Sequence, residues 1–397
     1  MPRKPPAPAS AKPWVEWCAN RIDDPVTRLK FLRSVTPLGV PIRRRPFWQL
    51  ALAVAILLSL LGSFLIARAS TRVKPVPTAT RPTPVGPLAV APEPPPVSPA
   101  APVWLVDKSA GSETFSNGLR IDTRHESPNH PRAYLAFPAG QIDHTKGNAP
   151  GVRRTVPAGI VFHTTESRQL PFEASANSAL KQVGESLIDF VRRRHAYHYL
   201  IDRFGRVYRI VPESDAADHA GYSIWADEDW LYLNLNESFL GISFETKTEP
   251  GQESPTVSPA QIHSAAMLTE MLRARYGISA GNCVTHAQVS VNPENMRVGY
   301  HTDWASAFPF AQLGLPDNYA RPLPSLTAAG FEYDATFVHW AGTRLYAGVE
   351  LAEEEIARNA AAAGVKVAEF RKMLRKRYRA RLAEALGGGE ASEGATR

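Results

Sequence analysis

The chain has 397 residues with 35 prolines, two cysteines and a formal net charge of +7, which excludes a small protein held together by disulfides. Residues 1–46 carry ten Lys or Arg against three Asp or Glu, whereas residues 104–329 carry 20 against 24. Since the basic excess lies outside the main domain, a nucleic-acid-binding surface on that domain is not indicated.

The first predicted element is a transmembrane helix. Phe47 to Ala67 form an apolar run of 21 residues, long enough to cross the ~30 Å hydrocarbon layer of a bilayer. Arg43 to Arg45 precede it directly, which predicts a single-pass helix of the bacterial inner membrane with residues 1–46 in the cytoplasm. A cleaved signal peptide is the alternative, because Ala67-Arg68-Ala69 has the small residues of a cleavage site.

Residues 68–103 are predicted to be a linker. Eleven of the 29 residues from Pro75 to Val103 are proline, a composition that favours an extended polyproline II chain. At ~3.1 Å per residue such a spacer would hold the following domain up to about 90 Å from the bilayer. That distance is enough to reach a wall layer beyond the membrane.

Residues 104–323 are predicted to fold as one α/β domain, a mixed central sheet flanked by helices. Short apolar runs predict strands, an apolar stripe from Leu180 to Val191 predicts a helix, and Arg203-Phe204-Gly205 predicts a hairpin turn. Ser258 followed by proline starts a second helix, which Gly277 ends. The predicted strands are 159–164, 198–202, 206–211, 239–246 and a last one ending before His286.

The chain from residue 324 to residue 386 is predicted to be a helical extension. Residues 349–363 and 367–386 are rich in Ala, Glu, Arg and Leu, which favour helix. The basic stretch from Arg371 to Arg381 is either a solvated helix face or a surface that binds wall polymer. Residues 387–397 are predicted to be a disordered tail.

Two histidines next to predicted strands and a later aspartate are candidate ligands of a catalytic metal ion. Hydrolysis of an unactivated amide needs a strong nucleophile and a Lewis acid, and zinc held by three protein ligands supplies both. His163 ends the first predicted strand, His286 follows the last one, and Asp303 lies a loop further on in His301-Thr-Asp303. Each histidine taken alone is more often an ordinary core or surface residue.

Four segments in this order resemble the amidase-2 family of N-acetylmuramoyl-L-alanine amidases, which includes phage amidases and animal peptidoglycan recognition proteins. The resemblance spans roughly residues 155–310. The segments are Val161-Phe-His-Thr-Thr-Glu166; Tyr197-His-Tyr-Leu-Ile-Asp-Arg-Phe-Gly-Arg206; Asp218-His-Ala-Gly221 leading to Leu240-Gly-Ile-Ser-Phe-Glu245; and Thr285-His286 with the later His301-Thr-Asp303.

The resemblance implies roles for seven residues. His163, His286 and Asp303 would bind Zn²⁺. Tyr197 and His301 would be catalytic and stabilise the oxyanion, with His301 standing where many members have lysine. His219 and Thr165 would contact the substrate. Strand alternation places Tyr197 and Tyr199 on one face and His198 on the other, so His198 is interpreted as structural.

The sequence departs from the family pattern at two places. Ser243 stands where some members have a catalytic glutamate, although the recognition-protein branch also has serine there. Glu245 is a conceivable substitute, but a carboxylate on the surface at the strand end is the preferred interpretation. The spacing from His286 to Asp303 is longer than usual, and residues 292–295 are predicted to form a turn within this insertion.

The sequence therefore predicts a zinc-dependent N-acetylmuramoyl-L-alanine amidase that is anchored to the membrane and acts outside the cytoplasm on peptidoglycan or muropeptides. We expect a monomer whose other partner is the membrane, and no nucleic acid. Two alternatives stay open. One is a tethered peptidoglycan-binding module without catalysis, and the other is a scaffold that joins membrane and wall.

Overall fold

The computed structural model of the chain describes residues 102–139, 149–248, 257–333 and 335–390. No helix within these ranges is both long and apolar enough to cross a membrane. The predicted transmembrane helix 47–67 and most of the predicted linker lie outside the described residues, as do residues 391–397 of the predicted tail.

Short strands account for most of the regular structure before residue 300. Their bounds are β1 Leu105–Ser109, β2 Ser112–Phe115, β3 Arg120–Asp122, β4 Tyr134–Pro138, β5 Val152–Arg154, β6 Gly159–Thr164, β7 Tyr199–Ile201, β8 Val207–Arg209, β9 Trp225–Ala226, β10 Trp230–Tyr232, β11 Phe239–Phe244, β12 Cys283–Thr285, β13 Val291–Asn292 and β14 Arg297–Val298.

The helices connect these strands and then form the C-terminal part of the chain. Their bounds are α1 Asn177–Arg193, α2 Leu235–Ser238, α3 Pro259–Tyr276, α4 His286–Val289, α5 Pro324–Thr327, α6 Ala335–Ala362 and α7 Val367–Glu390. Helix α7 thus continues past Leu386, where the sequence predicted its end. Single 3₁₀ turns lie at Ala174–Ala176, Ala280–Asn282, Phe310–Leu313 and Asn318–Ala320.

The central sheet has eight strands in the order β1-β2-β3-β8-β7-β11-β6-β12. Within this order, β7, β11, β6 and β12 run parallel to one another. Strands β7 and β8 are antiparallel and form the predicted hairpin. The mixed sheet predicted from the sequence is therefore confirmed. Because the four parallel strands point the same way, their carboxyl ends meet at one edge, where ligands of α/β sheets usually bind.

Side-chain alternation divides the core between the two faces of this sheet. Ile160 and Phe162 of β6 pack on the face covered by α3 and by the C-terminal helices α6 and α7. Val161 packs on the other face, with Trp225 and Tyr232 of a second, four-stranded antiparallel sheet of order β5-β4-β10-β9. His163 is two residues after Val161, so its side chain lies on the same face of the sheet as that of Val161.

Helix α3 begins and ends where its sequence predicts. The Ser258 hydroxyl accepts the backbone N–H of Gln261 at 3.1 Å, while the Gln261 side chain accepts the N–H of Ser258 at 3.0 Å, which is a capping box. Gly277 ends the helix with φ of 66°, in the left-handed region that favours glycine. This helix covers the β7 and β11 side of the core.

Candidate metal centre

Three side chains from distant parts of the chain meet at the carboxyl edge of the parallel strands. His163 lies near the end of β6, His286 is the first residue of α4 directly after β12, and Asp303 lies in the loop after β14. All three are buried, and one ligand atom of each lies within 4.8 Å of the others. The sequence prediction that these residues lie together is therefore consistent with the structure.

The Asp303 carboxylate lies between the two imidazole rings. Its Oδ2 is 3.2 Å from Nδ1 of His163, and its Oδ1 is 2.9 Å from Nδ1 of His286. The two ring centroids are 4.5 Å apart. Tetrahedral zinc with bonds of about 2.0–2.1 Å would separate its ligand atoms by about 3.3 Å, so the observed spacing is close to that of a shared ion.

Hydrogen bonds from three elements hold the loop that carries Asp303. The backbone N–H of Ala287 donates to the Asp303 carbonyl at 3.2 Å. The Trp304 indole donates to the His163 carbonyl at 2.9 Å, and the Tyr319 hydroxyl donates to the Trp304 carbonyl at 2.5 Å. Trp304 has φ of 58°, and left-handed residues other than glycine cluster at functional sites.

A line of contacts runs from a backbone carbonyl through two histidines to the carboxylate. Nε2 of His219 is 3.2 Å from the Phe239 carbonyl oxygen, and Nδ1 of His219 is 3.1 Å from Nε2 of His163. A carbonyl only accepts, so the network assigns the His219 proton to Nε2. Nδ1 of His219 then accepts from Nε2–H of His163. Nδ1 of His163 has no proton left for Asp303.

This proton count leaves a bare imidazole nitrogen facing a carboxylate. Burial and the neighbouring His286 lower the pKa of His163 to about 4, and burial lowers the pKa of His219 well below its usual value, so additional protons on these rings are disfavoured. Burial raises the pKa of Asp303, but the charge of the neighbouring His286 outweighs it and keeps the pKa well below the usual range. Two buried acceptors this close repel each other unless a cation lies between them, so the residues fit a divalent metal ion.

The comparison with known families agrees with this geometry. The model of the Amidase_2 family, described as N-acetylmuramoyl-L-alanine amidase, matches residues 153–303 and so includes His163, His286 and Asp303. Residues 153–303 form an amidase-2 domain.

Two curated relatives match the same part of the chain. N-acetylmuramoyl-L-alanine amidase AmiD of Escherichia coli (strain K12) is 30% identical over 141 residues, covering 32% of this chain and 46% of AmiD. A probable N-acetylmuramoyl-L-alanine amidase of Bacillus licheniformis is 28% identical over 141 residues, covering 36% of this chain and 37% of that protein. The chain thus spans less than half the length of either relative.

A solved structure also resembles the chain. The complex of E. coli AmiD with anhydro-N-acetylmuramic acid-L-Ala-D-gamma-Glu-L-Lys is 21% identical and covers 62% of this chain and 89% of that chain, with a TM-score of 0.33.

Tyr197 lies beside His163, one of the candidate metal ligands. Its ring centroid is 5.0 Å from that of His163, and burial together with the charge of Asp303 raises the pKa of its phenol. The phenol therefore stays protonated and can donate a hydrogen bond. The alternation argument was wrong here, because Tyr197 has φ of 65° and precedes β7. It lies beside His163, whereas Tyr199 packs in the core on the opposite face.

His301 and Thr165, both predicted as site residues, differ in how they contact their surroundings. The half-buried His301 ring stacks on His286, with centroids 4.4 Å apart and an angle of 21°. Thr165 follows β6, where its hydroxyl donates to Ser167 Oγ at 2.9 Å and approaches the Thr246 carbonyl at 3.3 Å. His301 thus lies within reach of the site, whereas the Thr165 hydroxyl is directed into local contacts.

The carboxylate of Glu245 was expected on the surface, but this residue is only 2% exposed. Its Oε2 accepts the backbone N–H of Arg203 at 3.2 Å, and burial raises its pKa. Glu245 therefore stabilises the β7–β8 turn. Ser243, fully buried and paired in register with His163, occupies the position beside the candidate metal ligands.

Arg132 was not predicted to have any role, since it lies in a stretch without a periodic pattern. Its buried guanidinium donates to the carbonyls of Glu213 at 3.1 Å, Asp215 at 2.9 Å and Phe239 at 3.3 Å. Burial lowers the pKa of Arg132 to about 10. The Phe239 carbonyl thus accepts from both Arg132 and His219, so this arginine fixes the acceptor on which the histidine chain depends.

His198 was interpreted as structural from the sequence, and both of its ring nitrogens contact backbone groups. Its Nδ1 accepts the N–H of Gly241 at 3.0 Å, and its Nε2 lies 3.0 Å from the Asp215 carbonyl. Burial lowers its pKa well below the usual value. These contacts join β7 to β11 and support the structural interpretation.

Proposed function

We propose that the chain is a zinc-dependent enzyme that hydrolyses the amide bond between N-acetylmuramic acid and L-alanine in peptidoglycan. The reaction class and the substrate are suggested by the amidase-2 domain and by the relatives named amidases. The observation that carries the proposal is the buried acceptor pair of His163 and Asp303, which needs a cation.

Separate residues would bind the metal ion and stabilise the transition state. His163, His286 and Asp303 would hold the zinc, which when bound supplies a Lewis acid and lowers the pKa of a water molecule to about 7. The protonated phenol of Tyr197 would donate a hydrogen bond to the oxygen that becomes negative in the transition state. His301, stacked on His286, would be a second donor there.

We further propose that His219 acts chiefly as a positioning residue. It accepts the Nε2 proton of His163 and so directs the free Nδ1 lone pair toward Asp303. Histidine ligands commonly have such an acceptor on the nitrogen away from the metal, and the acceptor fixes the tautomer. The position of His219 also allows contact with the substrate, the role predicted from the sequence. The positioning of His163 does not depend on that contact.

The location of the reaction is also a proposal. The apolar segment 47–67 would anchor the chain in the inner membrane, and the proline-rich linker 68–103 would hold the amidase-2 domain on the outer side. Peptidoglycan lies on that side, so the arrangement matches the substrate.

Replacement of the third ligand tests the function. In Asp303→Ala of the full chain we expect loss of bound zinc and a drop of at least 10²-fold in the release of peptide from purified wall sacculi, because the metal site loses its only carboxylate. Asp189→Ala, which changes an exposed aspartate on α1, is the matched control and should retain both properties.

Unchanged zinc and activity in Asp303→Ala would remove this residue from the site. A wild-type chain that sediments with sacculi but holds no zinc and releases no peptide would contradict the enzyme and support the binding module.

A further inference from the structure

A second cavity, apart from the metal centre, lies where helix α7 packs against the rest of the domain. It has a volume of about 620 Å³, within the range of about 300–1,000 Å³ that holds small ligands. Its walls come from α5, α6, α7 and the β9–β10 turn. Its lining includes Thr327, Glu355, Phe370, Leu374, Arg377 and Arg381.

Arg377 and Arg381 are one helical turn apart on α7, and both line this cavity. Arg381 is only 3% exposed, and its Nη2 donates to the Pro138 carbonyl at 2.8 Å. The Nε atoms of both arginines are buried and have no hydrogen-bond partner. Buried polar atoms are nearly always satisfied, so two such atoms in one cavity need an explanation.

Two other arginines of the same helix are paired. Arg371 donates to Glu353, and Arg375 donates to Glu332 at 2.5 Å. Within the described residues, no carboxylate forms an ion pair with Arg377 or Arg381. Arg379 also forms no ion pair among these residues, but it is exposed. Arg377 and Arg381 are the unpaired arginines of α7 that line the cavity.

Burial disfavours the positively charged form of these two arginines. It lowers the pKa of Arg377, and burial together with the nearby Arg377 lowers the pKa of Arg381 to about 10. Arg381 lies over the Phe137 ring and Arg377 is half-buried, but neither has a carboxylate partner, and a cation removed from water without an ion pair destabilises a fold. An anionic ligand in the cavity would remove this penalty.

Acidic residues in the lining do not take the place of such a ligand. The Asp227 carboxylate already accepts from Trp230 N at 2.7 Å, Tyr232 Oη at 3.0 Å and Asn282 Nδ2 at 2.8 Å. Glu228 is exposed and Glu355 is half-buried. Their carboxylates would favour a ligand that also carries an amino group, but neither neutralises the arginines.

We propose that Arg377 and Arg381 form a binding site for the oxyanion, carboxylate or phosphate, of a small ligand that enters this cavity. Guanidinium groups bind both oxyanions through paired N–H donors. The site is independent of the metal centre and of the proposed amidase reaction.

Thermal unfolding of the full chain tests the site with two probes, inorganic phosphate and succinate, against sodium chloride at equal ionic strength. At a probe concentration about 100-fold above the dissociation constant, the wild-type midpoint should rise by about 5 °C. The double variant Arg377→Gln/Arg381→Gln should not respond. The control Lys372→Gln/Lys376→Gln, on exposed positions of α7, should respond like the wild type.

Each result has a defined meaning. A response to phosphate alone or to succinate alone identifies the oxyanion. A wild-type midpoint that responds to neither probe overturns the proposal, whether or not the variants fold. An equal rise in the arginine variant and the lysine control also overturns it, because the effect is then one of general ionic strength.

Discussion

Among single residues, the sequence predicted the candidate metal ligands that the structure brings together, but not how one of them is oriented. His163 and His286 could be selected because His163 ends one apolar strand and His286 directly follows another. His219 was assigned to the substrate, whereas it contacts His163. No pattern in the sequence reveals a contact between residues 56 positions apart, because it depends on how the β8–β9 connection folds back over β11.

Three substitutions of His219 separate positioning from substrate contact. Asparagine places an oxygen near the position of Nδ1 and keeps the acceptor for His163, whereas glutamine and leucine lose it. We therefore expect His219→Asn to bind zinc almost as the wild type does, and His219→Gln and His219→Leu to bind about 10–100-fold more weakly. The measurement is a competitive zinc titration without substrate.

His263→Gln, an exposed histidine on α3, is the control for this series. Equal zinc affinity in all three His219 variants, with only KM raised, would favour substrate contact. A wild type that binds no zinc would instead contradict the proposed function itself.

Gly241 makes room for the His219 ring. A Cβ at this position would lie 2.7 Å from Cγ of His219, closer than real contacts allow, and the ring cannot move away without leaving His163. We expect Gly241→Ala to weaken zinc binding about 10-fold. Gly387→Ala, where a Cβ would meet nothing within 4 Å, should leave zinc affinity unchanged, and equal affinities in the two variants would contradict the packing argument.

Among the helices and strands, the sequence predicted those with strong local signals. Strand β6 is a fully buried apolar run, and α3 has a capping box and a terminal glycine. Strands β1 to β5, β9 and β10 were not predicted. They have two to five residues each and mixed polarity, and such strands are specified by pairing with distant partners more than by their own pattern.

The capping box of α3 allows a test of element stability. In Ser258→Ala the helix loses the bond to Gln261 N and the bond from Ser258 Oγ to the Arg203 carbonyl. We expect a loss of about 1 kcal/mol in the free energy of unfolding, measured with denaturant, with zinc affinity unchanged. Ser186→Ala, in the exposed middle of α1, should be neutral or slightly stabilising, and a loss as large as that of Ser258→Ala would contradict the capping role.

The C-terminal helices α6 and α7 share a hydrophobic core with the amidase-2 domain. Leu345 and Val349 of α6 and Phe370 and Tyr378 of α7 pack in the cluster that contains Phe162. The helices could be predicted from composition, but their packing could not. Basic residues of α7 also have specific partners, such as Arg371 with Glu353, which a solvated charged face does not explain.

The proposed topology is testable in cells that express the full chain. We expect the protein to leave the membrane fraction only with detergent, because segment 47–67 would span the bilayer. Protease added to intact spheroplasts should degrade the amidase-2 domain and leave a short N-terminal fragment. A domain that is protected until the cells are lysed would contradict the extracytoplasmic location.

The proposed function requires that His163, His286 and Asp303 share one zinc ion. Zinc K-edge X-ray absorption of the zinc-loaded full chain measures its ligands directly. We predict two imidazole nitrogens and oxygen ligands at about 2.0–2.2 Å and no sulfur. A spectrum without imidazole scattering, or one with a sulfur ligand at about 2.3 Å, would contradict the claim.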